Sequence, residues 1–445
     1  MDSLLQKLSS LWTRGSMNRD ILLTSFSVVV GRVLGFLVPF FVAAVFGTSD
    51  RTDAFFLAFG LTLFFSMVIG YIFETVIVPM ITDARVKGAD MGEIVGAVMV
   101  RSTFFVTIAV ALLVLGFQPA LRLTTHLSPE IIRLSFVLMA EMVPIIYFTV
   151  WTSAFNGALN AYKSFHVPAL SPGFRSLIVI AGIFYFGGPL NVHAISIGFS
   201  VGEFIRLLIS SYYFTKEVGR LKVTTQHIPV VGEFFKSAFY QTLGFCFFFA
   251  FPIVNQVMAS WLGSGEISVY AYAERLRNVP FILFATGAVP VALSHWANRY
   301  SRQPGQFLWS DVRRSVWFLT AGSAVVALGL VLMRDSLAGM ALGRGEFPTA
   351  KIRVVSNLFA LMLASLPFEV MALLCTRILV IFRKDKLYMI VTLVKLILIG
   401  VLNYPLMRSM GILGIGVSVA LMSTVYGVFL CGYARHLLQV KTLDA

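Results

Sequence analysis

Apolar positions run along this chain in long, nearly unbroken stretches, unlike the alternation of a strand or the single stripe of a surface helix. Twelve can be counted, at roughly 20–46, 54–82, 92–118, 131–157, 168–188, 191–215, 235–262, 268–296, 314–333, 352–381, 388–407 and 411–434. A helix crossing the hydrocarbon of a bilayer takes roughly 20 such residues. Turn signals part the stretches: Gly47-Thr48-Ser49-Asp50, Lys87-Gly88-Ala89-Asp90, Gly187-Gly188-Pro189 and Gly263-Ser264-Gly265. The pattern predicts an all-α polytopic membrane protein with about 12 transmembrane helices. Residues 1–19 read as a cytoplasmic N-terminal segment, 20–218 as a six-helix group and 219–234 as a cytoplasmic linker. A second six-helix group follows at 235–438, with a cytoplasmic tail at 439–445. The first stretch is too long for a signal-peptide core and no small-residue cleavage site follows it, so it reads as a retained span.

Composition agrees. Of 445 residues, 58% are hydrophobic and 13% charged, with a mean hydropathy of +0.85. That is too little charge to cover a soluble protein of this size. The net charge of +14 could suggest nucleic acid, but its distribution gives another reading. With both termini inside, nineteen Lys and Arg fall on the cytoplasmic side and eight on the outer side, as the positive-inside rule expects. Cys246, Cys375 and Cys431 lie far apart in apolar stretches and make neither a disulfide framework nor a metal spacing.

Charge inside the stretches changes the picture most. Arg32, Arg101, Arg175, Arg206, Arg275, Arg277, Arg377 and Lys395 lie there, against Glu74, Glu141, Glu203, Glu274 and Glu369. A charge at that depth is costly unless it faces protein or water. The surplus is positive, which points to anionic cargo. Arg32 is expected to face a hydrated cavity and contact phosphate, because guanidinium offers a planar fork of donors and keeps its charge; a buried pair with Glu74 is the other reading. Arg275 and Arg277 stand two positions apart, about 200° round a helix, so both cannot face one cavity squarely. Glu274 could pair with either, and Arg277 could turn to a neighbouring helix. Glu203 and Arg206, three apart, most simply satisfy each other. Asp53 reads as an N-cap of the second span, with gating as a lesser role. Gly198 and Gly202 suggest close helix packing. Nucleotide-binding loops and nucleophile–base arrangements are missing from the sequence, so it is not expected to be an enzyme.

A faint duplication divides the chain. Gly47 and Val78-Pro79 bracket the second stretch as Gly263 and Val289-Pro290 bracket the eighth, which suggests two matched halves with a site between them.

Several local patterns taken together resemble the MurJ/MviN-type lipid II flippases of the multidrug/oligosaccharidyl-lipid/polysaccharide exporter superfamily. They are Gly31-Arg32-Val33-Leu34-Gly35-Phe36, then Phe46-Gly47 and Thr52-Asp53-Ala54-Phe55-Phe56-Leu57-Ala58-Phe59, and Gly157 through Pro172. In the second half, Tyr272-Ala273-Glu274-Arg275-Leu276 and Leu342-Gly343-Arg344-Gly345-Glu346-Phe347 resemble later family patterns. The resemblance implies two bundles around a central V-shaped cavity. It also implies alternating access that carries a polyprenyl-pyrophosphate-linked sugar across the bacterial cytoplasmic (inner) membrane. Arg32 and Arg275 match cavity arginines, and Asp53 matches the acidic residue opening the second span. Substrate binding is expected at Arg32, Arg275 and Arg277, and gating or charge pairing at Asp53, Glu74 and Glu274. No cofactor or metal is expected; a coupling ion or the membrane potential would drive transport. Expected partners are the lipid-linked glycan, membrane lipids and glycan-synthesis enzymes, with no nucleic acid.

The pattern departs where Val38-Pro39 replace a second basic residue and where 64–71 lack the family's arginine and acidic-glycine run. The two further C-terminal spans of lipid II flippases are also expected to be missing. The glycan could therefore be that of lipid II or a surface-polysaccharide repeat unit. The other readings are a cation-coupled multidrug exporter, for which an acidic cavity is expected, and a non-transporting membrane scaffold, which would tolerate neutralised charges.

Overall fold

The computed structural model describes residues 17–73, 77–224, 231–302, 309–382 and 384–440, and every regular element among them is helical. Hydrocarbon offers no water to backbone N–H and C=O groups, and a helix satisfies them within one segment. The first half holds α1 (Met17–Phe46), α2 (Asp50–Ile72), the short α3 (Val78–Val86), α4 (Met91–Thr124), α5 (Pro129–Ala161), α6 (His166–Leu190) and α7 (His193–Glu217). The second half opens with α8 (Val231–Ala259), α9 (Glu266–Leu283), α10 (Val289–Arg302) and α11 (Trp309–Leu332). It continues with α12 (Arg334–Leu342), α13 (Thr349–Leu363), α14 (Leu366–Ile381), α15 (Asp385–Met410) and α16 (Ile412–Val440).

Among the described residues ten helices are long and apolar enough to cross a bilayer, or eleven when the α13–α14 pair, bent by 41°, counts as one span. The first predicted stretch lies in α1, of which Val33–Phe46 registers as a short apolar helix.

Two stretches predicted as continuous depart from a straight α-helix among the described residues. The stretch 268–296 passes through a wide turn at Phe284–Ala288 inside one apolar span, and 352–381 bends between α13 and α14; 54–82 is described as α2 and α3, with 74–76 between them outside the described residues. Proline follows each departure, in Val289-Pro290 and Leu366-Pro367, and Val78-Pro79 opens α3. Proline has no N–H to give the preceding turn and tolerates only the first turn of a new helix. Hydropathy cannot register that loss, since proline interrupts a helix without adding charge. The faint duplication has a structural counterpart here: α2 and α9 each start after a positive-φ glycine, and each ends six residues before a Val-Pro pair.

The helices gather into two compact units. One takes in the chain up to Val45, with Ala58–Leu123 and Ser128–Phe239; the other holds Phe46–Leu57, Thr124–Leu127 and the chain from Tyr240 onward. In the first, Phe73, Ile77, Ile81, Val95, Val150, Phe155 and Phe214 form a continuous apolar core. Glycines set its closest approaches. A Cβ on Gly173 of α6 would lie 3.1 Å from the Gly31 Cα of α1, and one on Gly202 of α7 would lie 2.9 Å from the Arg175 backbone oxygen of α6. The small-residue pattern at Gly198 and Gly202 thus serves close packing of α6 on α7. Phe104, Phe105, Leu112 and Leu115 of α4 remain exposed, a face suited to lipid.

After α7 the chain lies back along the start of α4. The Lys222 N–H donates to the Gly92 carbonyl (3.2 Å), and Lys222 Nζ reaches Asp90 Oδ2 (2.6 Å) and Glu93 Oε1 (3.2 Å). The ammonium holds the Asp90 carboxyl below its usual 3.8, and the carboxylates raise the Lys222 value in return. A carboxyl depressed on folding contributes above its unfolded value and loses that contribution as pH falls through the folded one. Exchange protection of the Lys222 amide should therefore drop below about pH 4, and Lys222→Gln should abolish that pH step.

Candidate functional site

Charge buried in each unit defines the candidate site. In the second unit Asp53 takes an unexpected partner. Its own N–H bonds to the Ser49 carbonyl at 2.9 Å, so it lies inside the first turn of α2, which starts at Asp50. The cap of α2 is Ser49, whose Oγ accepts from the Thr52 N–H at 3.3 Å. This corrects the N-cap expectation for Asp53. Its carboxylate instead caps α9: it accepts the Gly265 N–H (2.7 Å), the Ser268 N–H (2.8 Å) and the Ser268 hydroxyl (2.5 Å). The first N–H groups of a helix lack internal partners and favour an anion. Asp53 is fully buried here.

The surrounding packing joins segments remote in sequence. Gly47, with φ +58°, has the Glu346 carbonyl where a Cβ would stand, at 2.6 Å. Its own carbonyl accepts from the Tyr272 hydroxyl at 3.1 Å, and the Tyr272 ring packs edge-on against Phe56 (5.0 Å) and Phe347 (5.5 Å). Stretches around 46–56, 265–272 and 342–347 thus build one junction.

Further along α9, Arg277 pairs with Glu369 of α14 and also donates to Asn278 Oδ1 (2.8 Å) and Ser365 Oγ (3.5 Å). Ser423 of α16 donates to the same Glu369 oxygen (3.1 Å) and accepts from Lys395 Nζ of α15 (3.3 Å). Lys395, only 5% exposed, lies 4.8 Å from the Phe251 ring centre and 4.7 Å from that of Tyr426, the placement of a cation on aromatic faces. One carboxylate therefore links four helices. Arg275, two positions before Arg277 and so on another face of α9, is partly buried beside Glu274, and Glu274 lies within reach of the Asn278 amide.

The first unit has its own buried charges. Glu203 of α7 is 0% exposed and accepts from Arg206 (2.7 Å) and, through its other oxygen, from Arg175 of α6 (3.1 Å). Arg206 Nε adds a bond to Ser171 Oγ at 3.2 Å. Glu141 of α5 meets His193 (2.7 Å) and Ser196 of α7. Part of the intramembrane positive surplus is thus neutralised locally. The Arg32 side chain and Glu74 lie outside what the structure describes.

The structure brings Asp53, Glu274, Arg275 and Arg277 onto or against a single helix, α9. The Arg277 guanidinium engages Glu369 of the neighbouring α14, the second of the two readings given for it, and burial at that depth favours such a counter-charge. Sequence reasoning missed Ser268 and Ser423, short hydroxyls with no signature of their own, and the pairing of His193 with Glu141. A positive-φ Gly265 ahead of Ser268 was the one available hint of an α9 cap.

A family profile described as "Lipid II flippase MurJ" matches residues 42–444. The chain belongs to the MurJ family. One relative, "Probable lipid II flippase MurJ" of Buchnera aphidicola subsp. Schizaphis graminum, is 24% identical over 295 residues. That match covers 64% of this chain and 57% of the relative, so the chain spans a little over half that relative's length. Among solved structures, "Lipid II flippase MurJ, inward closed conformation" superposes with a TM-score of 0.78 at 20% identity, covering 95% of this chain and 90% of that one. An inward-facing multidrug resistance MATE family transporter of the MOP superfamily superposes at 0.80 with 11% identity, covering 93% and 96%. At such identities the structures establish the fold, and membership in the MurJ family rests on the profile.

Proposed function

We propose that the chain is a flippase that moves a polyprenyl-pyrophosphate-linked sugar precursor, lipid II or a close relative, across the bacterial cytoplasmic membrane by alternating access. The observation that carries this reading is the family match over residues 42–444. The positively charged residues at matching positions of α1 and α9 support it.

Arg32 and Arg275 hold the pyrophosphate in a hydrated cavity. The glycan rides in water while the prenyl tail stays in lipid. Arg277, engaged by Glu369, positions α9 and so sets where Arg275 stands; Glu274 tunes the charge beside it. Asp53 acts as a latch on the start of α9. Both termini lie in the cytoplasm, so the cargo's negative charge moves outward. An inside-negative potential favours that by about 2.3 kcal/mol per charge per 100 mV, a driving force that asks for neither ATP nor cofactor.

The cellular test replaces Arg32 and Arg275 by alanine, singly, in a strain whose growth depends on this chain. Each loses a charge-assisted contact worth about 1.5–3 kcal/mol, which lowers flipping about 10- to 100-fold. Lipid-linked precursor should accumulate at unchanged protein level. Normal growth with normal precursor pools would remove both arginines from the path.

A further inference from the structure

Away from the α9 charges, the second unit carries a recess of about 520 Å³ lined by Trp309, Arg313, Arg314 and Trp317 of α11 and by Arg435 of α16. Trp309, Arg313 and Trp317 follow one another at four-residue steps, so they share one face of α11 with an arginine between two indoles. Arg314 stands beside that face, and Arg435 comes from the neighbouring helix. All three arginines are exposed, and none makes an ion pair with a carboxylate among the described residues. Trp317 is 57% exposed.

The position along α11 limits what could bind there. The helix is a 24-residue membrane span whose charged end is this one. From Trp309 to Trp317 it rises about 12 Å, the depth from the headgroup layer into the upper acyl region. Tryptophan prefers that zone, apolar on one side and wet on the other. Three guanidinium groups that pair with no carboxylate among the described residues call for an anion, and their planar donors fit phosphate oxygens. Basic recesses between transmembrane helices at a membrane surface are suited to anionic lipid headgroups.

We propose that this recess is a binding site for the headgroup of an anionic phospholipid of the surrounding leaflet, separate from the path of the transported lipid. The arginines take the phosphate, and the two indoles flank its glycerol and upper chains. The site would tie α11 to α16 through a bound lipid, so that occupancy depends on membrane composition.

The test uses the full chain, purified in detergent, with native mass spectrometry counting bound lipid during titration with phosphatidylglycerol or phosphatidylcholine. In the variant Arg313→Gln, Arg314→Gln, Arg435→Gln the tightest phosphatidylglycerol adduct should weaken roughly fivefold for each arginine replaced, with phosphatidylcholine adducts unchanged. Trp317→Ala should weaken the same adduct. All these side chains reach the surface, so unchanged thermal unfolding is the control for folding. Phosphatidylglycerol binding equal to wild type would overturn the proposal, as would equal loss of both lipids. Full displacement of the adduct by inorganic phosphate or pyrophosphate would assign the recess to a soluble phosphate and overturn it as well.

Discussion

Replacing Glu203 by alanine should destabilise the protein by about 3–5 kcal/mol, the range for a buried ion pair that loses one partner. Two guanidinium groups, Arg175 at 3.1 Å and Arg206 at 2.7 Å, share this single carboxylate, and without it both remain near each other in low dielectric. Glu203→Gln keeps acceptor geometry on one oxygen and should fall between wild type and alanine. The diagnostic comparison is the triple change Arg175→Met, Glu203→Leu, Arg206→Met. It removes every charge together and should recover most of the loss, because a well-packed apolar cluster often equals or exceeds a buried ion network in stability. Unfolding in detergent followed by tryptophan fluorescence measures all three. A loss under about 1 kcal/mol for Glu203→Ala would mean that the triad is water-filled in practice and does not hold α6 to α7.

Asp53→Ala should be nearly as damaging, for a different reason. Three donors at the start of α9 converge on that carboxylate, and all three bonds are buried. Each of the three buried donors stranded by loss of this cap costs about 1–3 kcal/mol, so a total of at least about 3 kcal/mol is expected. Ser268→Ala removes one of the three bonds and one stranded donor together, so it should cost about 1 kcal/mol. Transport should fall with Asp53→Ala beyond what stability explains, since the cap fixes the first turn of the helix that carries Arg275. Unfolding midpoints together with precursor accumulation in cells separate the two effects. Asp53→Ala with wild-type stability and wild-type precursor pools would contradict the assignment of the α9 cap.

The membrane class and the location of most spans were legible in the sequence, because long apolar stretches leave no other way to satisfy the backbone. The wide turn in 268–296 and the bend in 352–381 were not, although the prolines beside them stood in plain view: a proline within an apolar stretch says only that some hydrogen bond is lost. Motifs fared unevenly. Gly47, Asp53, Tyr272 and Glu346 carried the family resemblance as separate patches 70 or more residues apart for the most part, and nothing in linear order says that they meet. Folding brings them into one junction, where Gly47 admits a carbonyl and Asp53 caps another helix. Arg277 shows a second kind of shortfall. Sequence gives its charge and depth, whereas its counter-ion, Glu369, lies 92 residues away. Glu203 and Arg206 were read correctly as partners because three residues along a helix is a contact distance; the third member, Arg175, arrives from α6 through tertiary packing alone.

The central claim is that positive charge buried in this fold receives a phosphorylated lipid and carries it between leaflets. The most direct measurement reconstitutes the purified full chain into phospholipid vesicles containing fluorescent lipid II and follows which leaflet holds the headgroup, using a quencher added outside. The account predicts protein-dependent movement that speeds up when the imposed potential draws negative charge in the direction of transport, and that Arg275→Ala slows about 10- to 100-fold. Headgroups that stay in place with wild-type protein, or that move as fast with Arg275→Ala, would contradict it.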